Sequence, residues 1–137
     1  MDLFAVLERS RHWSEKSGGA FDVTVGPAVR AWGFAGGPFR VPPDAEIDAL
    51  RSRVGGHRLG LNREQGTVNL EPGTDVDLGA IGKGYAVDRA VAFLRRAGVT
   101  AAAVNFSGNL YLLGAPPGEA GWPVDVVDPR EPGRTLG

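Results

Sequence analysis

The segment VDLGAIGKGYAVDRA, residues 76–90, holds the side chains best placed to do chemistry. A short apolar run ends in Asp77, and three glycines, Gly79, Gly82 and Gly84, gather around the start of a helical pattern. Glycine costs a helix about 1 kcal/mol relative to alanine. Two of them in an opening turn therefore ask for a reason. Close approach of a ligand to the backbone is one, at the helix end whose free N–H groups favour anions. Lys83, one of only two lysines with Lys16, adds a cation there. Asp77 offers a carboxylate to a ligand hydroxyl or ring N–H. The glycine spacing fits neither a Walker A loop nor G-x-G-x-x-G. The pattern is that of a phosphate- or nucleotide-binding turn, and a tight strand-to-helix turn packed on a sheet would account for the same residues.

Two further segments combine glycines with polar groups. In SGGAFDVTVGP, residues 17–27, glycines precede an aromatic and an acid, which suits a ligand-lining loop. Taken alone, it reads more simply as a helix stop followed by a strand with Phe21 in the core. In VNFSGNLYLLG, residues 104–114, a glycine between apolar runs suggests a hairpin with backbone exposed at its tip. His12 and His57 have no metal-ligand neighbour at useful spacing. Asp125 and Asp128 read as solvated acids or turn caps.

The elements that must position these residues follow from periodicity. Leu3, Val6, Leu7, Ser10 and Trp13 share one face of a first helix, capped by Asp2 and stopped by Gly18 and Gly19. Phe21, Val23 and Val25 alternate as in a short strand, and a turn of helix after Pro27 carries Val29 and Trp32 inward. A second clear helix follows Pro43, with Asp44 at its start and Ile47, Leu50 and Val54 on its apolar face. HRLGLN and TVNL form a hairpin joined by Arg63 to Gly66. Val76 to Leu78 is a short strand. The third clear helix carries Ala86, Ala90, Phe93, Leu94 and Ala97 as its stripe, with Arg95 and Arg96 in the last turn and Gly98 as its stop. Strand-like runs at 101–106, 110–113 and 124–127 complete the chain. Helices and strands without strict alternation predict an α+β fold with a mixed or antiparallel sheet, in a single domain over residues 1–137.

Composition bounds the function. With 42% hydrophobic and 23% charged residues, the chain is ordinary for a globular protein. A net charge of −1 leaves no electrostatic footprint for nucleic acid. The absence of cysteine excludes disulfides, thiolate metal sites, cysteine nucleophiles and a lipid-anchor cysteine within these residues. No apolar run is long enough to span a bilayer as a helix, and the first residues, MDLFAVLERSRHW, do not read as a signal peptide.

Together the three segments resemble the FAD:protein FMN transferase family, also called the thiamine biosynthesis lipoprotein or ApbE-like family. SGGAFDVTVGPAVRAWGF at 17–34 matches its first motif, Asp77 to Asp88 its DLGxIxKGYAVD motif, AVNFSGNLYLLG its LVNxGGD motif, and Trp122 to Arg130 its Trp-x-V-x-x-x-D-P-R run. Order, spacing and residue types agree across nearly the whole chain.

The resemblance implies part of a T-fold-related domain that uses FAD as substrate and Mg²⁺ as essential metal. The hydroxyl of a threonine or serine on an acceptor flavoprotein, a redox-complex subunit, attacks the FMN-side phosphorus and AMP leaves, the reaction of protein flavinylation. It further implies that Ala20, Phe21 and Asp22 line the FAD site, that Asp77 and Lys83 contact the nucleotide, and that Ala80 gives its backbone carbonyl to the metal. It names no catalytic side chain in this chain, and it implies a periplasmic location or the outer face of the cell membrane.

Two departures stand out: Ser107 and Asn109 occupy positions where the family usually has glycine and aspartate. Family members also continue into a His-x-Ile-x-Asp-Pro motif and into Asp and Thr side chains that complete the metal site. Weak or absent transfer by this chain alone is therefore expected unless a second chain supplies those parts. The alternatives are a non-catalytic FAD- or nucleotide-binding module and a Mg²⁺-dependent FAD pyrophosphatase.

Overall fold

The computed structural model describes residues 2–131 and 133–136. Contacts divide the chain into two compact units, one ending at Gly82 and the other beginning at Lys83.

The first unit opens with helix α1, Asp2–Lys16. Its buried residues are Val6, Leu7, Ser10 and Ser14. The sequence placed Leu3 and Trp13 on that face, but they are 60% and 53% exposed. The buried stripe follows the i, i+3/i+4 ladder through the two serines instead. Ser10 is accepted inside because its hydroxyl donates to the Val6 carbonyl at 2.7 Å, which satisfies it within the helix. Gly18 and Gly19 end α1 with φ of 61° and 84°, values at which a side chain would be strained.

Helix α2, Gly26–Ala31, starts with Pro27 in its first turn, where the missing N–H has no helical partner to lose. Ala31 is its buried anchor, while Val29 and Trp32 are only half-buried. Helix α3, Asp44–Arg51, has Asp44 and Glu46 in its first turn and Arg51 in its last, each favourable to the helix dipole. None of its residues is fully buried, so Ile47 and Leu50 form a partly covered face.

A 3₁₀ turn at Gly56–Arg58 leads into strands β1, Leu59–Asn62, and β2, Thr67–Leu70. They pair antiparallel with Asn62 opposite Thr67, so the turn occupies residues 63–66 as the sequence predicted. The core of this unit is Leu7, Val23 and Leu59, with Phe21, Leu61, Val68, Val76, Leu78 and Ile81 packed around it. Burying each of the three central side chains is worth about 2 kcal/mol. No strand forms at 21–25 or 76–78: residues 21–25 pass through a bend and a turn at Val23–Thr24, and the parallel pairing near them is a single bridge between Val25 and Asp75.

The second unit contains most of helix α4, Gly82–Arg96, and strands β3, Ala102–Phe106, and β4, Asn109–Leu113. Val87 and Val91 are the buried residues of α4. Phe93, read as part of its apolar stripe, is 64% exposed. The helix carries enough apolar residues to offer two stripes, and burial centres on the valines. Strands β3 and β4 pair antiparallel from Ala102–Leu113 to Phe106–Asn109. Their turn is Ser107-Gly108, with φ of 51° and 89°; positive φ at both central residues matches the right-handed twist of the strands. Arg95 donates to the Tyr111 hydroxyl at 2.7 Å. The run 124–127 is not a strand; only Val127 forms a bridge, with Thr135. Among the described residues, four α-helices and two antiparallel hairpins make the fold α+β.

Candidate functional site

The first unit contains a groove of about 860 Å³. That lies within the range of small-molecule sites. One wall comes from the end of α1 and the segment after it, through Arg11, Ser14, Glu15, Gly18, Gly19, Ala20 and Asp22. The facing wall is Val54 to His57 and the start of β1.

Of the predicted site residues, Ala20 and Asp22 line this groove and Phe21 does not. Phe21 packs on the Leu7–Val23–Leu59 core instead, which fixes its neighbours in the chain. The bend at residues 20–21 thus leaves Ala20 and Asp22 toward the groove and Phe21 toward the core. Asp22 is held rigidly. Its Oδ1 accepts the Thr24 N–H at 2.8 Å and the Thr24 hydroxyl at 2.7 Å, and its Oδ2 accepts the Ser14 hydroxyl at 3.3 Å.

Asp77 is not in the groove lining, yet it is tied to the same segment. Its N–H donates to the Val23 carbonyl at 2.7 Å, beside the Val25–Asp75 bridge. Its own Oδ1 accepts the Gly79 N–H at 2.8 Å, which closes the turn of DLG. Among the described residues its Oδ2 accepts no hydrogen bond. Two arginines brace the approach to Asp77. Arg58 donates from Nε to Thr74 at 2.7 Å and from Nη2 to the Pro72 carbonyl at 3.1 Å, and pairs with Glu71 at 3.1 Å. Arg30 of α2 pairs with Asp75.

Ala80 is exposed in the turn that precedes α4. No group of three or more His, Asp or Glu side chains suited to a metal ion occurs among the described residues. Mg²⁺ takes about six oxygen ligands, several of them waters or substrate oxygens. No carboxylate cluster accompanies the Ala80 carbonyl, the oxygen that the resemblance assigns to the metal, among the described residues. Lys83 lies in the first turn of α4, in the second unit, and is partly buried. Asp128 is 8% exposed but works as a turn cap: its Oδ1 accepts the Arg130 N–H at 2.8 Å and its Oδ2 lies 3.7 Å from Arg134.

The sequence reading missed the second wall. Gly55 and Gly56 read only as the stop of a helix, and His57 as the start of a hairpin strand. The signal was the glycine pair itself: a Cβ on Gly56 would stand 2.8 Å from the Ser14 hydroxyl, so the two walls approach where a side chain does not fit. Arg11 and Glu15 were missed because an exposed helix face carries many charges with no ligand role.

Similarity to known proteins runs through the whole chain. The ApbE family matches residues 1–137. The FAD:protein FMN transferase of Treponema pallidum (strain Nichols) is 35% identical over 146 residues, covering 96% of this chain and 40% of the relative. That of Salmonella typhimurium is 32% identical over 121 residues, covering 85% and 35%. Among solved structures, the apbe protein from Thermotoga maritima superposes with a TM-score of 0.86 at 30% identity, over 94% of this chain and 43% of that one. Flavin transferase ApbE from Vibrio cholerae gives 0.82 at 30% identity, over 92% and 41%. The chain thus spans about 40% of the length of such relatives. With motif order, fold and sequence in agreement over nearly all of its length, the chain belongs to the ApbE family.

Proposed function

We propose that this chain is the dinucleotide-binding part of an FAD:protein FMN transferase. The observation that carries the reading is the hydrogen bond from Asp77 N–H to the Val23 carbonyl, which joins the family's two FAD motifs beside a ligand-sized groove. In this reading Ala20 and Asp22 line the flavin site, Phe21 fixes their direction from the core, and Asp77 and Lys83 contact the nucleotide. The chain's own residues bind and orient FAD. Alignment of the acceptor hydroxyl with the phosphorus is most of what a phosphoryl transfer asks of a protein.

The reaction proposed for the whole protein is attack by a threonine or serine hydroxyl oxygen on the FMN-side phosphorus. The new phosphoester forms as the pyrophosphate bond breaks, and AMP departs. Mg²⁺ would neutralise charge on the phosphate oxygens when bound, with the Ala80 carbonyl as one ligand. The other protein ligands, outside the described residues or on a second chain, belong to the same proposal. So do a redox-complex subunit as acceptor and a location on the outer side of the cell membrane.

Titration with FAD, with and without Mg²⁺ and followed by flavin fluorescence, tests the reading. Saturable binding strengthened by the metal is expected. Absence of binding by the folded chain overturns the assignment of the site to these residues. With acceptor peptide added, AMP together with flavinylated peptide indicates transfer, AMP alone indicates hydrolysis, and bound flavin without either product indicates a binding module.

A further inference from the structure

Thr24 is fully buried, and both capacities of its hydroxyl are used. Oγ1 donates to Asp22 Oδ1 at 2.7 Å and accepts the Gly55 N–H at 2.7 Å. A hydroxyl has a single proton, and here it is committed to the carboxylate. The lone pairs of Oγ1 are then free for the Gly55 N–H, and the polarity of the chain Gly55 to Thr24 to Asp22 is fixed. The link to Gly55 spans 31 residues of sequence. Asp22 and Gly55 lie on the two walls of the groove, and Thr24 is not part of its lining.

We infer that Thr24 is a positioning residue whose buried hydroxyl ties the two walls of the groove together and sets the presentation of the Asp22 carboxylate. Oδ1 of Asp22 accepts two short hydrogen bonds from Thr24, whereas among the described residues Oδ2 accepts only the longer one from Ser14. Oδ2 is therefore the oxygen with capacity left for a donor on a ligand, such as a ring or exocyclic N–H of a dinucleotide. Its direction is inherited from Thr24. The consequence for flavin rests on the functional reading above; the tie between the walls does not.

The test compares the 137-residue chain with T24V and T24S. Amide hydrogen exchange at Gly55, resolved by NMR, reports the tie, and FAD titration reports the presentation of Asp22. Loss of one buried hydrogen bond of about 1.4 kcal/mol corresponds to a tenfold change. In folded T24V, Gly55 exchange should therefore rise about tenfold or more and the Kd for FAD by a similar factor. T24S, which keeps the hydroxyl, should stay within about threefold of the parent on both measures. Unchanged Gly55 exchange in folded T24V overturns the inference. So does T24S behaving like T24V, since the effect would then not follow the hydroxyl, and so does undiminished FAD affinity in T24V. A parent chain that binds no FAD defeats the flavin reading, while Gly55 exchange still decides the tie. If T24V does not fold, T24A removes the hydroxyl without setting a methyl against Asp22 and is judged by the same outcomes.

Discussion

The backbone N–H of Asp77 donates to the carbonyl of Val23 at 2.7 Å. Val23 is itself 3% exposed in the core of the first unit, one residue past Asp22. Two stretches more than fifty residues apart in sequence are thereby fixed to each other by main chain, without dependence on either aspartate side chain. The carboxylates of Asp22 and Asp77 can be altered while the frame that carries them stays in place, which makes their roles separable by mutation.

Asp22→Ala removes the acceptor for the Thr24 N–H and hydroxyl and for Ser14. Leaving buried donors unsatisfied should cost about 2 kcal/mol in a denaturant titration. Asp22→Asn should cost about half of that, because its amide oxygen still accepts from Thr24 and the Ser14 hydroxyl can turn to accept from the new NH₂. Equal stability of D22A and the parent would contradict the network.

Two glycines make opposite predictions. A Cβ on Gly26 would lie 2.8 Å from the Asp75 carbonyl oxygen and 2.9 Å from its carbon, both backbone atoms. Gly26→Ala must therefore push α2 and the Asp75 segment apart, at about 1–3 kcal/mol. A Cβ on Gly84, inside α4, meets nothing within 4 Å. Gly84→Ala should raise stability by up to about 1 kcal/mol through helix propensity alone. If the opening turn of α4 is an approach site for FAD, the same G84A variant should bind FAD more weakly despite its higher melting temperature. Unimpaired binding would make Gly84 a neutral passenger.

Ser107 has a φ of 51° and, among the described residues, is the sole non-glycine with positive φ. A side chain in that region costs about 1–2 kcal/mol, and the extra freedom of an unfolded glycine returns part of it. Ser107→Gly should stabilise the second unit by about 0.5–1 kcal/mol, read as a rise in thermal midpoint. A fall would show that the hydroxyl makes a compensating interaction.

Arg40 pairs with Glu46 through both oxygens, tying the segment after α2 to the first turn of α3. The hydrogen bond from Arg40 holds the Glu46 carboxyl below its usual range. A lowered folded pKa means that the contribution is present at neutral pH and is lost as pH falls through that lowered value. Glu46→Gln should therefore differ from the parent at neutral pH and converge with it in acid. Because the pair is exposed, the difference should be small and should shrink in high salt. A gap that widens on acidification would reverse the sign and refute the assignment.

What the sequence determined by itself is the local level. Capping residues, glycine stops and hydrophobic periodicity located α1, α3, α4 and both hairpins, down to the turn at residues 63–66. The motifs around Asp22 and Asp77 identified the family before any geometry was known. Only the tertiary structure decided which faces are buried. Leu3, Trp13 and Phe93 look as apolar as their neighbours, but a helix with more apolar residues than one stripe can bury leaves the choice to what packs on it. The run at 124–127 shows the same limit for strands, because a strand exists only by pairing and sequence alternation does not supply the partner. The second wall of the groove was likewise invisible. The bond from Gly55 to Thr24 crosses 31 residues, and long-range pairing of one amide with one hydroxyl leaves no periodic trace along the chain.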